Sequence, residues 1–237
     1  MSAARDRTRI AILGDGRMGQ LLAALAPESG CEVAALLGPA QTAGGLTRAV
    51  LGGAQVAIEF TVPSAAAALV RDCARAGVPV VSGTTGWDAE RAAVEAAVRA
   101  SDGALLWAPN FSIGVHLFKR VVAEASRLLA RADAGFDLHL VETHHARKLD
   151  APSGTARALA DAAAAAAGKP VPITSVRTGH VPGTHELVLD APFEQVRLVH
   201  EARDRRVFAA GALAAARWLA GRRGVFTLDD FLGGHAP

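Results

Sequence analysis

The chain has 237 residues, 51% hydrophobic and 20% charged, which is enough to bury a core and too apolar for a disordered protein. The formal net charge is only +2 and the basic residues are scattered, leaving no footprint for nucleic acid or an anionic membrane. Two cysteines, Cys31 and Cys73, stand far apart in apolar stretches, which argues against a disulfide framework and for free thiols in a reducing compartment. The first residues lead into a short strand pattern without an apolar signal-peptide core. No apolar run is long enough to span a bilayer. A soluble, cytoplasmic protein is expected.

Short apolar runs at 9–13, 32–37, 56–60, 79–82 and 104–107 read as buried strands. Between them, 18–26, 64–76 and 88–100 have helical composition and period, and Gly or Pro punctuates most of the joins. Strand and helix in alternation imply βαβ units and a parallel sheet covered on both faces. After residue 113 the pattern changes. A helix at about 115–132 precedes 136–141, where Phe136, Leu138 and Leu140 alternate with polar or smaller residues, the mark of a sheet with one covered face. A helix over 153–167 follows, then strands at 185–189 and 196–201 joined by Asp190-Ala191-Pro192-Phe193, and a last helix over 206–220. The expected fold class is α/β. A Rossmann-type dinucleotide-binding domain (1–111, rejoined by 206–237) is expected beside an α+β domain (112–205) with a mostly antiparallel or mixed sheet.

Gly14-Asp15-Gly16-Arg17-Met18-Gly19 fits G-x-G-x-x-G directly after the first strand and at the start of a helix. The first glycine permits a tight turn, the second lets a pyrophosphate approach the backbone, and the third lets helix and strand pack closely. That context predicts a bound dinucleotide. An acidic residue about 20 positions further on would hold the adenosine ribose. It is missing here, where the second strand ends Leu36-Leu37-Gly38-Pro39-Ala40. No arginine stands there for a 2′-phosphate either, so the cofactor is NADPH or NADH. Arg17 reads equally as a phosphate ligand or a solvated helix-start residue. The other strand ends, Phe60-Thr61-Val62-Pro63, Gly83-Thr84-Thr85-Gly86 and Ala108-Pro109-Asn110-Phe111, offer small residues, hydroxyls and an amide. In an open parallel sheet such ends converge on the ligand rim.

Residues 142–155 read Glu142-Thr143-His144-His145-Ala146-Arg147-Lys148-Leu149-Asp150-Ala151-Pro152-Ser153-Gly154-Thr155. Histidine titrates near neutrality and suits a proton donor that balances hydride delivery. Lys148 can donate a proton or neutralise a carboxylate, with Asp150 placed to orient it or cap the next helix. Pro152 with Ser153-Gly154-Thr155 at a helix start makes a cradle for an anionic group. Arg205 is a further candidate anion binder. Zinc held by Glu142, His144 and His145 is the weaker alternative, because adjacent histidines on a strand point oppositely.

At these residues the chain resembles the 4-hydroxy-tetrahydrodipicolinate reductase (dihydrodipicolinate reductase) family of bacterial lysine and diaminopimelate synthesis. The signature is Glu142 to Thr155, matching the family's E-x-H-H-x-x-K-x-D-A-P-S-G-T-A motif through Ala156. Gly-Arg-Met-Gly in the glycine loop, Phe60-Thr61-x-Pro63, Gly83-Thr84-Thr85-Gly86 and Asn110-Phe111-Ser112-x-Gly114 support it. The resemblance implies reduction of a small dicarboxylate by NADPH or NADH; the residues themselves lead to no metal being expected. It makes His144 a proton donor or acceptor and Lys148 a proton donor. It places His145, Lys148, Ser153, Gly154, Thr155 and Arg205 on the substrate. The cofactor is assigned to Gly14, Asp15, Gly16, Arg17, Met18, Gly19, Gly83, Thr84, Thr85, Ala108, Pro109, Asn110 and Phe111. A homotetramer built through the second domain's sheet is also implied. The glycine loop is one residue shorter than in many members, and 37–54 is compressed.

Overall fold

The computed structural model describes residues 7–132 and 135–233. Its elements run β1 (Thr8–Leu13), α1 (Arg17–Leu25), β2 (Cys31–Leu37), α2 (Pro39–Thr42), β3 (Val56–Glu59), α3 (Pro63–Arg75), β4 (Val80–Ser82), α4 (Asp88–Ala100) and β5 (Ala104–Trp107). There follow α5 (Ile113–Arg131), β6 (Asp137–His144), α6 (Gly154–Ala167), β7 (Ile173–Arg177), β8 (Thr184–Ala191) and β9 (Glu194–Glu201). The chain ends with α7 (Arg206–Leu219), β10 (Gly224–Phe226) and α8 (Leu228–Phe231). Two compact units result, one made of residues up to Phe111 with those from Phe208 onward, the other Ser112–Val207.

The first unit holds a six-stranded parallel sheet in the order β10-β5-β4-β3-β1-β2. Alternate residues of each strand enter opposite cores. Ile10, Ile12, Val56 and Ile58 face one cluster with Leu22 of α1 and Ala212, Leu213 and Ala216 of α7. Ala11, Leu13, Ala57 and Val80 face another with Val70 of α3 and Val94 of α4. Burial on both faces is why these strands read as apolar runs rather than alternations. Pro63 opens α3 at a position where its missing N–H costs nothing.

The second unit has a mixed sheet, β7-β6-β8-β9, with β7 parallel to β6 and the other pairs antiparallel. Its inner face meets α5 and α6 through Val122, Leu138, Leu140, Leu159, Leu187 and Leu189. Ser112 caps α5, its hydroxyl accepting from the Val115 amide at 3.3 Å. Ser153 caps α6 through the Ala156 amide at 3.1 Å, and Gly168 closes that helix with φ 72°. Four elements lie outside the sequence expectation: α2, β7, β10 and α8. The expected ends of most others shift by one to three residues, the usual fraying of boundaries read from pattern.

Candidate active site

The glycine loop joins β1 to α1, and its three glycines meet three different surroundings. Gly14 has φ 105°, and a Cβ there would lie 2.2 Å from the Phe60 carbonyl oxygen. A Cβ on Gly19 would lie 1.8 Å from the Gly14 carbonyl oxygen, so this glycine lets α1 press on the loop. Gly16, the residue before α1, is different: a Cβ there meets nothing within 4 Å. No neighbour among the described residues requires that glycine, whereas a phosphate approaching the helix N-terminus would. The loop therefore fits a dinucleotide.

This contrast yields a paired expectation. Gly19→Ala should lower the urea midpoint by an amount worth about 1–3 kcal/mol, the usual cost of overpacking. Gly16→Ala should leave that midpoint in place and weaken dinucleotide binding. Equal midpoints for the two variants would contradict it.

Beside the loop, β3 ends on a wholly buried Glu59. Its Oε2 accepts from Ser82 Oγ at 2.6 Å, and its Oε1 from Thr84 Oγ1 at 2.6 Å, Thr61 Oγ1 at 2.5 Å and the Thr61 amide at 2.8 Å. One carboxyl group thus ties the end of β3 to the end of β4, its four hydrogen bonds meeting the need of a buried polar group for partners. The Thr84 carbonyl accepts from both Trp87 and Trp107 indoles, at 2.8 and 3.0 Å. The side chains of Thr84, Ala108 and Phe111 are therefore interior, and Phe111 packs edge-on to Phe60. Any contact these three make with a dinucleotide runs through backbone. Asp15, Gly16, Arg17, Thr85 and Pro109 are exposed, while Gly14, Met18, Gly83 and Asn110 are half-buried.

In the second unit, strand register assembles what the chain keeps apart. Glu142 on β6 pairs with Ser175 on β7 and His185 on β8, and His185 pairs with His200 on β9. His144 pairs with Arg177. These residues continue the inner face beyond its apolar rows, so the same side of the sheet turns from leucine to histidine. Glu142 is fully buried. Its Oε1 accepts from Arg177 Nη2 at 2.6 Å and from the Ser153 amide at 3.1 Å. Its Oε2 lies 2.5 Å from His144 Nδ1, a close approach without good hydrogen-bond alignment. Arg177 Nη2 also donates to the Asp150 carbonyl at 2.6 Å. The His144 and His185 rings meet edge to face at 5.2 Å, and His185 Nε2 lies 3.5 Å from Ser153 Oγ.

Burial alone would raise the Glu142 carboxyl, but hydrogen bonds from Arg177, Ser175 and Ser153 outweigh it and hold the pKa at about 2. Burial lowers His144 below the ordinary histidine value, with Glu142 opposing and Lys148 and Arg177 assisting. Burial and then His144 bring His185 down to about 4. Glu142 is thus an anion beside two neutral imidazoles at neutral pH. Six of the seven buried side-chain polar atoms without a well-aligned partner, among the described residues, belong to Glu142, His144, His145, Arg177, His185 and His200. Such atoms normally find partners, and their concentration marks a place built for a polar ligand.

Of the residues expected from the sequence, His144 lies at the centre of this cluster and His145 just beyond β6. Lys148 is near enough to act on His144 electrostatically and pairs with Asp150 at 2.7 Å. Asp150 thus orients Lys148, and the cap of α6 is Ser153 instead. Ser153 spends its amide on Glu142 and its hydroxyl on Ala156, and Gly154 follows as the first residue of α6. Arg205 is exposed on the turn before α7, and no hydrogen bond or ion pair joins it to the cluster. Glu142, His144 and His185 also bring one donor atom each within 4.8 Å of one another, a grouping able to hold a metal ion. Arg177 already occupies the carboxylate, which disfavours a second cation there. Sequence reasoning missed Arg177, His185, His200 and Glu59. Only Glu59 carried a local signal, a charge inside an apolar run.

Two family models match the chain: dihydrodipicolinate reductase, N-terminus, over residues 8–111, and dihydrodipicolinate reductase, C-terminus, over 114–232. The 4-hydroxy-tetrahydrodipicolinate reductase of Thiobacillus denitrificans is 38% identical, over 95% of this chain and 98% of its own. That of Xanthomonas euvesicatoria is 42% identical over 87% of this chain and 89% of its own. Among solved structures, a dipicolinate-bound dihydrodipicolinate reductase from Paenisporosarcina aligns with TM-score 0.75 and 22% identity, covering 93% of this chain and 97% of that one. Aspartate dehydrogenase from Thermotoga maritima shares the fold at TM-score 0.52 and 11% identity, over 91% of this chain and 98% of that one.

Proposed function

Since this chain belongs to the dihydrodipicolinate reductase family, we propose that it reduces 4-hydroxy-tetrahydrodipicolinate to tetrahydrodipicolinate in lysine and diaminopimelate synthesis. The observation that carries this reading is the buried Glu142–His144–His185 group beside the α6 N-terminus, with Lys148 on the adjoining loop. The reaction needs a hydride, a proton and the loss of water. A nicotinamide dinucleotide, NADPH or NADH, supplies the hydride when bound in the glycine loop. The chain itself handles the proton and holds the dicarboxylate. His144 and Lys148 are the proton-handling groups. His145, Ser153, Gly154, Thr155 and Arg205 receive the carboxylates, Arg205 only after movement of its exposed side chain. Following reduced-nicotinamide absorbance with the freshly made product of dihydrodipicolinate synthase tests the reading, and no oxidation of either dinucleotide would overturn it.

The electrostatics add a second test. His144 is kept neutral by burial and by the cations near it. A dicarboxylate bringing two negative charges favours the imidazolium, so its pKa rises on binding. Dipicolinate binding should therefore take up protons near neutral pH, measured by calorimetry in buffers of different ionisation enthalpy. His144→Ala should abolish that uptake. Proton release by the unsubstituted protein would contradict it.

We also propose a homotetramer formed through the outer face of the β7-β6-β8-β9 sheet. That face carries the half-exposed Val141 and Val188 with the exposed Val176 and Val199, apolar surface that association would cover. Light scattering should give a mass near four times 24.3 kDa, and Val199→Glu should reduce it. No helix of the described residues is long and apolar enough to cross a membrane.

A further inference from the structure

The acid that usually follows β2 in a dinucleotide-binding sheet is absent here, and another part of the chain fills its place. β2 ends at Leu37, whose carbonyl accepts from the Gly14 amide at 2.8 Å, so the glycine loop is stitched to the end of this strand. The next residue is a buried Gly38. A Cβ built on Gly38 would lie 2.4 Å from Asp15 Oδ2 and 2.8 Å from Asp15 Cγ. The Asp15 carboxylate therefore occupies the volume that a side chain after β2 would take. Gly38 has a reason to be glycine: any larger residue would push the carboxylate away.

We infer that Asp15 is the specificity-determining residue for the cofactor, and that its carboxylate selects NADH over NADPH. This rests on the reading of the first unit as the dinucleotide site and names which dinucleotide it takes. The adenosine ribose of a bound dinucleotide lies beyond the carboxyl end of β2, where a carboxylate accepts from its hydroxyls. A 2′-phosphate at the same place meets a like charge at short range. No hydrogen bond or ion pair to a described residue engages the Asp15 carboxylate, so its oxygens keep their acceptor capacity. It is exposed at the rim, where a ribose can reach it. Arg17 opens α1 two residues later, beside the site of the diphosphate that both dinucleotides share. It therefore adds affinity without discriminating between them.

The test is binding of NADH and NADPH to the full chain, read by titration calorimetry without substrate. The unsubstituted protein should bind NADH at least about tenfold more tightly than NADPH, the scale of one hydrogen bond to a charged group. Asp15→Asn should remove most of that preference, chiefly by tightening NADPH. Raising the salt concentration should narrow the gap in the unsubstituted protein, because the repulsion is between exposed charges. Gly38→Ala, which displaces the carboxylate without neutralising it, should move the ratio in the same direction as Asp15→Asn. Binding of both dinucleotides with a ratio unchanged by Asp15→Asn would overturn the assignment and leave the dinucleotide site standing. So would an Arg17→Ala variant that loses NADPH alone, since the second phosphate would then belong to Arg17. Failure of both dinucleotides to bind would remove the site itself, and the assignment with it.

Discussion

Substituting His144 and Lys148 together by alanine is expected to lower kcat by about a thousandfold, within the range of positioned proton-transfer groups, with dinucleotide affinity unchanged. The double change is the informative one because the two groups are coupled. Lys148 depresses the His144 imidazolium, so removing the lysine alters the proton affinity of the histidine. A single variant thus confounds loss of a proton donor with retuning of its neighbour, and single losses are expected to sum to more than the double loss. The affinity half of the expectation follows from chain position. Both residues belong to 112–207, whereas the glycine loop lies in the other unit. A double variant that turns over at the unsubstituted rate would sink the assignment of both roles.

Arg177→Leu is expected to destabilise the second unit by about 3–5 kcal/mol at neutral pH, the cost of stranding a buried charge. Arg177 is the strongest of the groups that hold Glu142 ionised, and Glu142 has no exposed surface. The carboxyl falls from an ordinary 4.5 to about 2 on folding. A depressed carboxyl contributes stability that is complete above 4.5 and lost as pH falls toward 2, here on the order of 3 kcal/mol. Without the guanidinium, burial dominates, the carboxyl rises and Glu142 protonates earlier. The deficit of Arg177→Leu should therefore be largest at neutral pH and shrink as the medium is acidified through 4.5. Urea midpoints of both proteins across that range measure it, and a pH-independent gap would contradict the account.

The legible parts of this chain were those whose cause is local. A strand buried on both faces needs an unbroken apolar run, so 104–107 and the helix 88–100 lie where the pattern puts them. β7 escaped because Ile173–Arg177 is an edge strand of half-exposed and exposed residues, where neither an apolar run nor a clean alternation is required. β10 and α8 have three and four residues, too few for any period to register. The same division runs through the site. His144, Lys148 and Ser153 are close in the chain and could be read as one group. Arg177, His185 and His200 join them only through strand register, which chain order does not encode. Glu59 differs: its charge inside an apolar run was visible, but its partners, three hydroxyls and an amide, are brought to it by the adjoining strand ends.

The return of the chain to its first unit sets an order of assembly. α7 contributes Ala209, Ala212, Leu213, Ala215, Ala216 and Leu219 to one face of the parallel sheet, and β10 is its last strand. During synthesis the ribosome delivers these residues after everything from Ser112 to Val207 has emerged. The segment made first is thus the segment completed last. The intervening unit holds all four strands and both helices of its own core, and can reach its native state while the earlier strands still present an uncovered apolar face. Contacts between residues 10–58 and 209–219 carry a long loop-closure entropy, which slows their formation. A nascent chain halted before α7 would hold a finished second unit and an unfinished first, so the newborn enzyme is most exposed to aggregation just before α7 arrives.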